Sequence, residues 1–280
     1  MPSDRTSVIG RSNPLVAQVR LLSRSPRERH RRGLIVVEGI RLAEEALAAG
    51  VPVQAAVISP KLLQARRGRR LRDLLKAAGI STRRASDSLL ASLHDADTHQ
   101  GILLLARWPG GSSKDSISSG AGCPVVLVAH GIQDPGNIGA LVRVADASGA
   151  GAFMALGGAD PFGPKALRAS AGSVFRLPVL REPSLAAAST RLAELRERGF
   201  RLVGAVPRGG IDYRDADLSA PMALLMGGEG AGLPPALQAG LDMEITIPLR
   251  SRVESINVVA AASVLLFEAT RRRDHRTASR

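Results

Sequence analysis

Five polar residues, gathered in three short stretches, carry the side-chain types that group-transfer chemistry uses. Asn137 and Arg143 lie in "DPGNIGALVRVADASGA" (134–150), Glu229 in "LLMGGEGAGL" (224–233), and Ser255 and Asn257 in "IPLRSRVESINVVAAASVLLFE" (247–268). An arginine supplies a fixed positive charge to a developing oxyanion, while amides, hydroxyls and a carboxylate orient the reacting groups. Each stretch also contains loop residues that let backbone approach a ligand closely, Gly136 and Gly139 in the first and Gly227-Gly228 in the second. The second stretch lacks the Lys-Ser/Thr of a phosphate-cradling loop, and its glycines alternate instead of following the G-x-G-x-x-G spacing. Its Glu229 would repel a pyrophosphate, so a cationic or hydroxyl-rich ligand suits it better. Taken one at a time, the stretches leave plainer readings open. Asn137 can be an N-cap with Arg143 simply solvated, and the glycine run can be a structural turn.

The elements that position these loops follow from the apolar pattern. After residue 122, strand candidates at 124–130, 152–156, 201–206, 222–227 and 244–248 alternate with helices at 137–149, 184–199 and 255–272. That alternation predicts a mostly parallel sheet covered on both faces, with ligands bound beyond the carboxyl ends of its strands. Ser184 is placed to cap one helix and Gly199 to stop it. The run "VVAAASVLL" is apolar on nearly every side, so its helix must be packed under other segments or form a subunit interface. Before residue 107, "GLIVVEG", "VQAAVIS" and "HQGILLLAR" read as strands, and 40–50 and 61–79 as helical, giving a smaller α/β unit. Residues 107–122, Gly/Ser-rich and without periodicity, read as a flexible linker. No internal repeat is present.

Composition narrows the partners. The 280 residues are 45% apolar and carry a formal charge of +13, with no apolar run near the ~20 residues that cross a bilayer. The N-terminal segment has no apolar signal region, and the single Cys123, in a predicted strand, excludes an internal disulfide and a Cys-rich metal site. The expected compartment is cytoplasmic, with no metal and no membrane partner. Residues 1–122 hold 20 Lys+Arg against 10 Asp+Glu, and residues 123–280 hold 18 against 15. The excess sits in "RSPRERHRR" (24–32) and "RRGRRLRDLLK" (66–76). Such tracts suit RNA phosphates, with Arg24, Arg27, Arg29, Arg31 and Arg32 as candidate contacts; a merely solvated surface is the alternative.

In this order and at these spacings, the three stretches resemble the three motifs of the SpoU/TrmH family of RNA ribose 2′-O-methyltransferases, in the SPOUT superfamily. The resemblance covers roughly residues 123–273, and residues 1–106 are similar to the family's substrate-binding domain. It implies a C-terminal α/β domain with a parallel sheet and a deep trefoil knot and a homodimer through that domain; residues 274–280, beyond the resemblance, read as a basic tail. It also implies S-adenosylmethionine as cofactor. Gly227, Ile247 and Ile256 match cofactor-contacting positions, and Ala205, Gly228, Leu249, Ser255 and Asn257 line the same pocket. Asn137, Glu229, Ser255 and Asn257 organise the site, and Arg143 matches the catalytic arginine, which also meets the RNA. Two positions depart from the family pattern: Val144 replaces a common threonine and His130 a frequent acidic residue. Ribosomal RNA of the large subunit is the expected substrate and transfer RNA the second choice. A non-catalytic RNA-binding module of the same fold is the rival reading, and a nicotinamide-dependent oxidoreductase fails for want of its fingerprint.

Overall fold

The computed structural model describes residues 8–94, 99–108, 125–218, 221–230, 232–250 and 252–278. Cys123 and linker positions 109–122 lie outside them. The chain divides into two compact units, one made of Met1–Pro109 with Phe162–Phe175, the other of Gly110–Pro161 with Arg176–Arg280.

In the first unit, helices α1 (Pro14–Arg24) and α2 (Pro26–Arg32) precede strand β1 (Leu34–Glu38). Sequence periodicity left both helices unassigned, yet their ends are locally encoded. Asn13 caps α1 by accepting from Leu15 N at 2.9 Å, and Ser25 caps α2 by accepting from Glu28 N at 3.2 Å, each ahead of a proline. Then follow α3 (Ile40–Ala48), β2 (Val53–Ile58), a 3₁₀ turn (Pro60–Gln64), α4 (Arg66–Ala77), β3 (Thr82–Arg84), α5 (Asp87–Ala91) and β4 (Ile102–Arg107). The sheet order is β1-β4-β2-β3, with β4 antiparallel to β1 and β2, and β2 parallel to β3. Val16, Val19 and Leu22 of α1 and Leu89, Leu90 and Leu93 around α5 bury against β1 and β4. Each such fully buried leucine contributes on the order of 1.5–3 kcal/mol.

Residues 162–175 were expected to belong with the second half of the chain, but they complete the first unit. Their helical stretch Pro164–Ser170 brings Arg168 onto Glu38, whose carboxylate, 3% exposed, ends β1. The Nδ1 of His94 stands 3.5 Å from the same carboxylate. Trp108 stacks on Phe162 with ring centroids 3.8 Å apart and meets His30 edge-on at 5.6 Å. Local periodicity does not mark this stretch as foreign to the sheet that flanks it, because its partners are more than fifty positions away.

The second unit runs β5 (Val125–His130), α6 (Pro135–Ala147) and β6 (Ala152–Leu156) and, after the first unit's helix α7 (Pro164–Ser170), β7 (Val179–Glu182), α8 (Leu185–Glu197) and β8 (Arg201–Ala205). It continues through β9 (Ile211–Asp212), β10 (Met222–Met226), α9 (Pro235–Gln238), β11 (Met243–Thr246) and α10 (Val258–Ala278). Its sheet has the order β7-β6-β5-β10-β8-β11-β9, and every ladder is parallel. Burial on both faces explains why β5, β6 and β10 read as unbroken apolar runs. Val126 and Val128 of β5 pack in one cluster with Ala188, Leu192 and Leu195 of α8 and Leu237 of α9. Helix α10 packs on α6, and Thr270 donates to Ser148 O at 2.7 Å just past the end of α6. It continues to Ala278, so the residues set apart as a tail from 274 are largely helical. No helix among the described residues is long and apolar enough to cross a membrane.

Candidate active site

The strand order reverses between β5 and β10, which makes the crevice at their carboxyl ends the natural ligand site of this sheet. Two loops meet there. The loop after β5 carries Gly131 and leads to α6; the loop after β10 carries Gly227-Gly228-Glu229. A Cβ on Gly228 would stand 2.8 Å from Gly131 O, so this approach exists only because residue 228 has no side chain. A Cβ on Gly227 would stand 2.3 Å from Gly232 C, and Gly232 N donates back to Gly228 O at 3.0 Å. The glycine run is thus folded on itself as a tight backbone cradle, and Gly230 and Gly232 take left-handed φ values of 85° and 64°.

One side-chain bond ties the two loops together. Asn137 Nδ2 donates to Glu229 Oε1, across 92 positions of sequence. The N-cap of α6 is Asp134, not Asn137: Asp134 Oδ2 accepts from Asn137 N at 3.2 Å, which leaves the Asn137 side chain to reach Glu229. The signal was present in "DPGN", where an aspartate directly precedes a proline at the first helical position. Arg143 lies in the third turn of α6 and is exposed. Six helical residues turn about 600° and rise about 9 Å, so Arg143 projects some 120° away from Asn137. It shares instead the helix face of Gly136 and Gly139. Among the described residues no ion pair or hydrogen bond holds its guanidinium.

The remaining cofactor positions are drawn in by register. Ala205 ends β8 directly beside Met226, and Ile245 of β11 pairs with Ala205, so Gly227 and Ile247 each continue just past neighbouring strand ends. Ile247 and Leu249 are half-buried. Ser255 and Ile256 are exposed, and among the described residues no hydrogen bond joins Ser255 to the glycine cradle. Asn257 is engaged as a cap: its Oδ1 accepts from Val259 N at 2.8 Å at the start of α10. His130, at the end of β5, is half-buried with an Nδ1 that meets no protein partner, and burial pushes its imidazole pKa down. A neutral imidazole therefore stands at the end of β5. A third loop, unassigned from sequence, closes the crevice beside β6: Ala159 N donates to Ile132 O at 2.8 Å, and Gly158 lies too close to Ile132 for any Cβ. The pair Gly157-Gly158 directly after a strand was its signal. No group of three or more potential metal ligands occurs among the described residues.

The basic tract of the first unit divides into unequal parts. Arg29 corrects the list of RNA contacts: it is 3% exposed, and its guanidinium holds Leu22 O and Ser23 O at the α1–α2 corner. Arg31 and Arg32 share Glu28, at 2.6 and 2.9 Å, and hold that carboxyl down to about 2. Arg24 and Arg27 are exposed.

Comparison with known proteins matches this arrangement at both ends of the chain. Residues 124–267 match the model of the SpoU rRNA Methylase family, and residues 13–104 that of the MRM3-like substrate binding domain. The chain is 35% identical over 214 residues to the 23S rRNA (guanosine-2′-O-)-methyltransferase RlmB of Ralstonia nicotianae, covering 74% of this chain and 85% of the relative. It is 31% identical over 244 residues to the 23S rRNA (guanosine(2553)-2′-O)-methyltransferase RlmP of Bacillus subtilis, covering 86% and 90%. Among solved structures it resembles the SpoU methyltransferase AviRb of Streptomyces viridochromogenes in complex with AdoMet, with TM-score 0.80, 30% identity and coverage of 94% and 100%. The AdoMet-bound rRNA methyltransferase of Sinorhizobium meliloti gives TM-score 0.80 at 28% identity, covering 95% and 97%. With its three motif loops on a parallel sheet and a substrate-binding domain ahead of them, the chain belongs to the SpoU rRNA methylase family.

Proposed function

We propose that this protein is an S-adenosylmethionine-dependent RNA ribose 2′-O-methyltransferase acting on 23S ribosomal RNA. The observation that carries the reading is the Asn137–Glu229 bond, which locks the loop leading to α6 onto the glycine cradle at the topological switch of the sheet. The cofactor's residues fit: Gly227 and Gly228 expose backbone where no side chain could stand, and Ala205, Ile247 and Leu249 lie at neighbouring strand ends. When bound, S-adenosylmethionine supplies a methyl group already activated by its sulfonium, so the chain need only prepare the nucleophile. Glu229 fixes the Asn137 amide. Arg143, exposed and without a carboxylate partner, orients the ribose 2′-hydroxyl and stabilises the oxyanion that develops on it. A guanidinium does not give up its proton in proteins, so Arg143 acts as charge and donor, not as base. Ser255, Ile256 and the helix-capping Asn257 complete the cofactor's surroundings in this reading.

Several wider features belong to the same reading. The names of the 23S rRNA methyltransferase relatives favour ribosomal over transfer RNA. A homodimer is supported by α10, whose Val264 and Phe267 are 39% and 52% exposed beside Ile256 at 38%. The threaded trefoil is supported by the wrap of residues 206–213 around the end of β11, with Val206 N on Ile245 O at 2.9 Å and Tyr213 N on Thr246 O at 3.0 Å. The cytoplasm, where ribosomal RNA is modified, is the compartment. The test is Arg143→Ala: methyl transfer to ribosomal RNA is lost, while calorimetry gives unchanged S-adenosylmethionine affinity. Wild-type turnover in that variant refutes the assignment.

A further inference from the structure

Arginines of the second unit fall into two populations. Away from the crevice they are spent on carboxylates: Arg176 on Asp146 at 2.9 Å, Arg191 on Glu182 at 3.0 Å, Arg196 on Asp242 at 2.7 Å and Arg271 on Glu268 at 2.8 Å. Arg208, Arg250 and Arg252 are different. All three are exposed, and among the described residues none has an ion pair or hydrogen bond. All three stand on loops that follow β8 or β11 at the carboxyl edge of the sheet, whereas Arg143 lies in the third turn of α6. Glu254, two residues beyond Arg252, is the acidic neighbour in sequence, and it is itself exposed.

The loop that bears Arg208 is held firmly. Thr246 Oγ1 donates to Pro207 O at 3.1 Å, and a Cβ on Gly210 would stand 2.8 Å from Ile245 C, so residues 206–210 are pressed against the end of β11. Arg250 and Arg252 follow four and six residues past the end of that same strand. Arg143, in contrast, enters from the β5 side. In the order β5-β10-β8-β11, the strand that leads to Arg250 and Arg252 stands three strand spacings, about 14 Å, from the strand that leads to α6.

The geometry points to a phosphate-gripping rim on the catalytic unit itself: Arg208, Arg250 and Arg252 bind backbone phosphates of the RNA flanking the nucleotide presented to Arg143. This rests on the RNA methyltransferase reading above and alters the division of labour expected from charge alone, in which gripping fell to the basic N-terminal half. Guanidinium forks suit phosphate oxygens bidentately, and an exposed, unpaired arginine forfeits no internal ion pair when it engages one. The residues position RNA; they do not act on the reacting atoms.

The experiment compares two variants of the full chain that lose the same net charge. Arg208→Gln/Arg250→Gln/Arg252→Gln removes the rim, and Arg176→Gln/Arg196→Gln/Arg271→Gln removes paired arginines elsewhere. Affinity for a single-stranded RNA oligonucleotide of mixed sequence and for purified ribosomal RNA is measured across a salt series, with S-adenosylmethionine binding followed by calorimetry. The rim variant is expected to lower the slope of log affinity against log salt by about 2, at about 0.7 per phosphate contact on single strands. It should raise KM for RNA and leave S-adenosylmethionine affinity unchanged, and the paired-arginine variant should keep the wild-type slope. An unchanged slope in the rim variant overturns the proposal, as does an equal loss in both variants, which would mark a diffuse effect of net charge. Should the triple variant lose S-adenosylmethionine binding through misfolding, Arg208→Gln and Arg252→Gln decide singly. Each is expected to lower the slope by about 0.7, and the proposal falls if neither does. A wild type that binds RNA with the expected slope yet transfers no methyl group refutes the enzymatic reading instead and leaves the rim standing.

Discussion

Gly227→Ala puts the smallest possible side chain into the tightest point of the cradle. The new Cβ would lie 2.3 Å from Gly232 C, 2.6 Å from Leu233 N and 2.7 Å from Gly232 O, where ordinary contacts begin near 3.4 Å. All three obstacles are backbone, so no side chain can rotate away, and residues 232–233 must retreat by about 1 Å. Overpacking of this kind costs about 1–3 kcal/mol. If S-adenosylmethionine needs the loop where it now stands, that strain reappears in binding as a loss of about 5- to 150-fold in affinity. Misplacing a bound reactant by about 1 Å costs on the order of 10²-fold in rate, so kcat/KM for RNA should fall at least as far as affinity. Titration calorimetry with S-adenosylmethionine and a thermal melt measure both consequences, the melt shifting down by roughly 2–12 °C. Gly10→Ala is the control, since a Cβ there meets nothing within 4 Å; it should change stability by less than about 0.5 kcal/mol. A folded Gly227→Ala protein with wild-type cofactor affinity would falsify the cradle as the cofactor site.

Two further outcomes follow from packing. Arg168→Ala takes the guanidinium from the Glu38 carboxylate, 3% exposed, and removing one partner of a buried pair costs about 3–5 kcal/mol. Denaturant unfolding followed by Trp108 emission should report that loss, and a change under 1 kcal/mol is incompatible with the bridge described. Phe267→Asp places a charge on the exposed apolar face of α10. Sedimentation should show a dimer for the wild type and a monomer for the variant; a wild-type monomer removes the dimer from the functional reading.

Much of this architecture was legible locally. Apolar runs marked β5, β6, β8, β10 and β11, because strands inside a parallel sheet keep little polar side, while the edge strands β7 and β9, short and partly polar, went unmarked. Ser184 and Gly199 announced the ends of α8, since caps and left-handed stops are satisfied by the nearest few residues. The three motif stretches, with Asn137, Arg143 and Glu229, were found for the same reason: glycine runs and capping turns are short-range signals. What escaped was also local in part. The Ser25-Pro26 start of α2 was hidden inside a tract read only for its charge.

Tertiary structure alone settled the rest. A basic tract cannot disclose that Arg29 turns inward while Arg24 faces water, because both share one composition and differ only in which helix face meets the core. Nor can residues 162–175 disclose that they complete another unit, since Arg168 finds Glu38 130 positions away. The sequence by itself determined the central strands, the helices with clear periodicity and the chemical types at their ends. The order of the strands, the Asn137–Glu229 bond and the company each arginine keeps were decided by long-range packing, whose energy depends on partners that no local window contains.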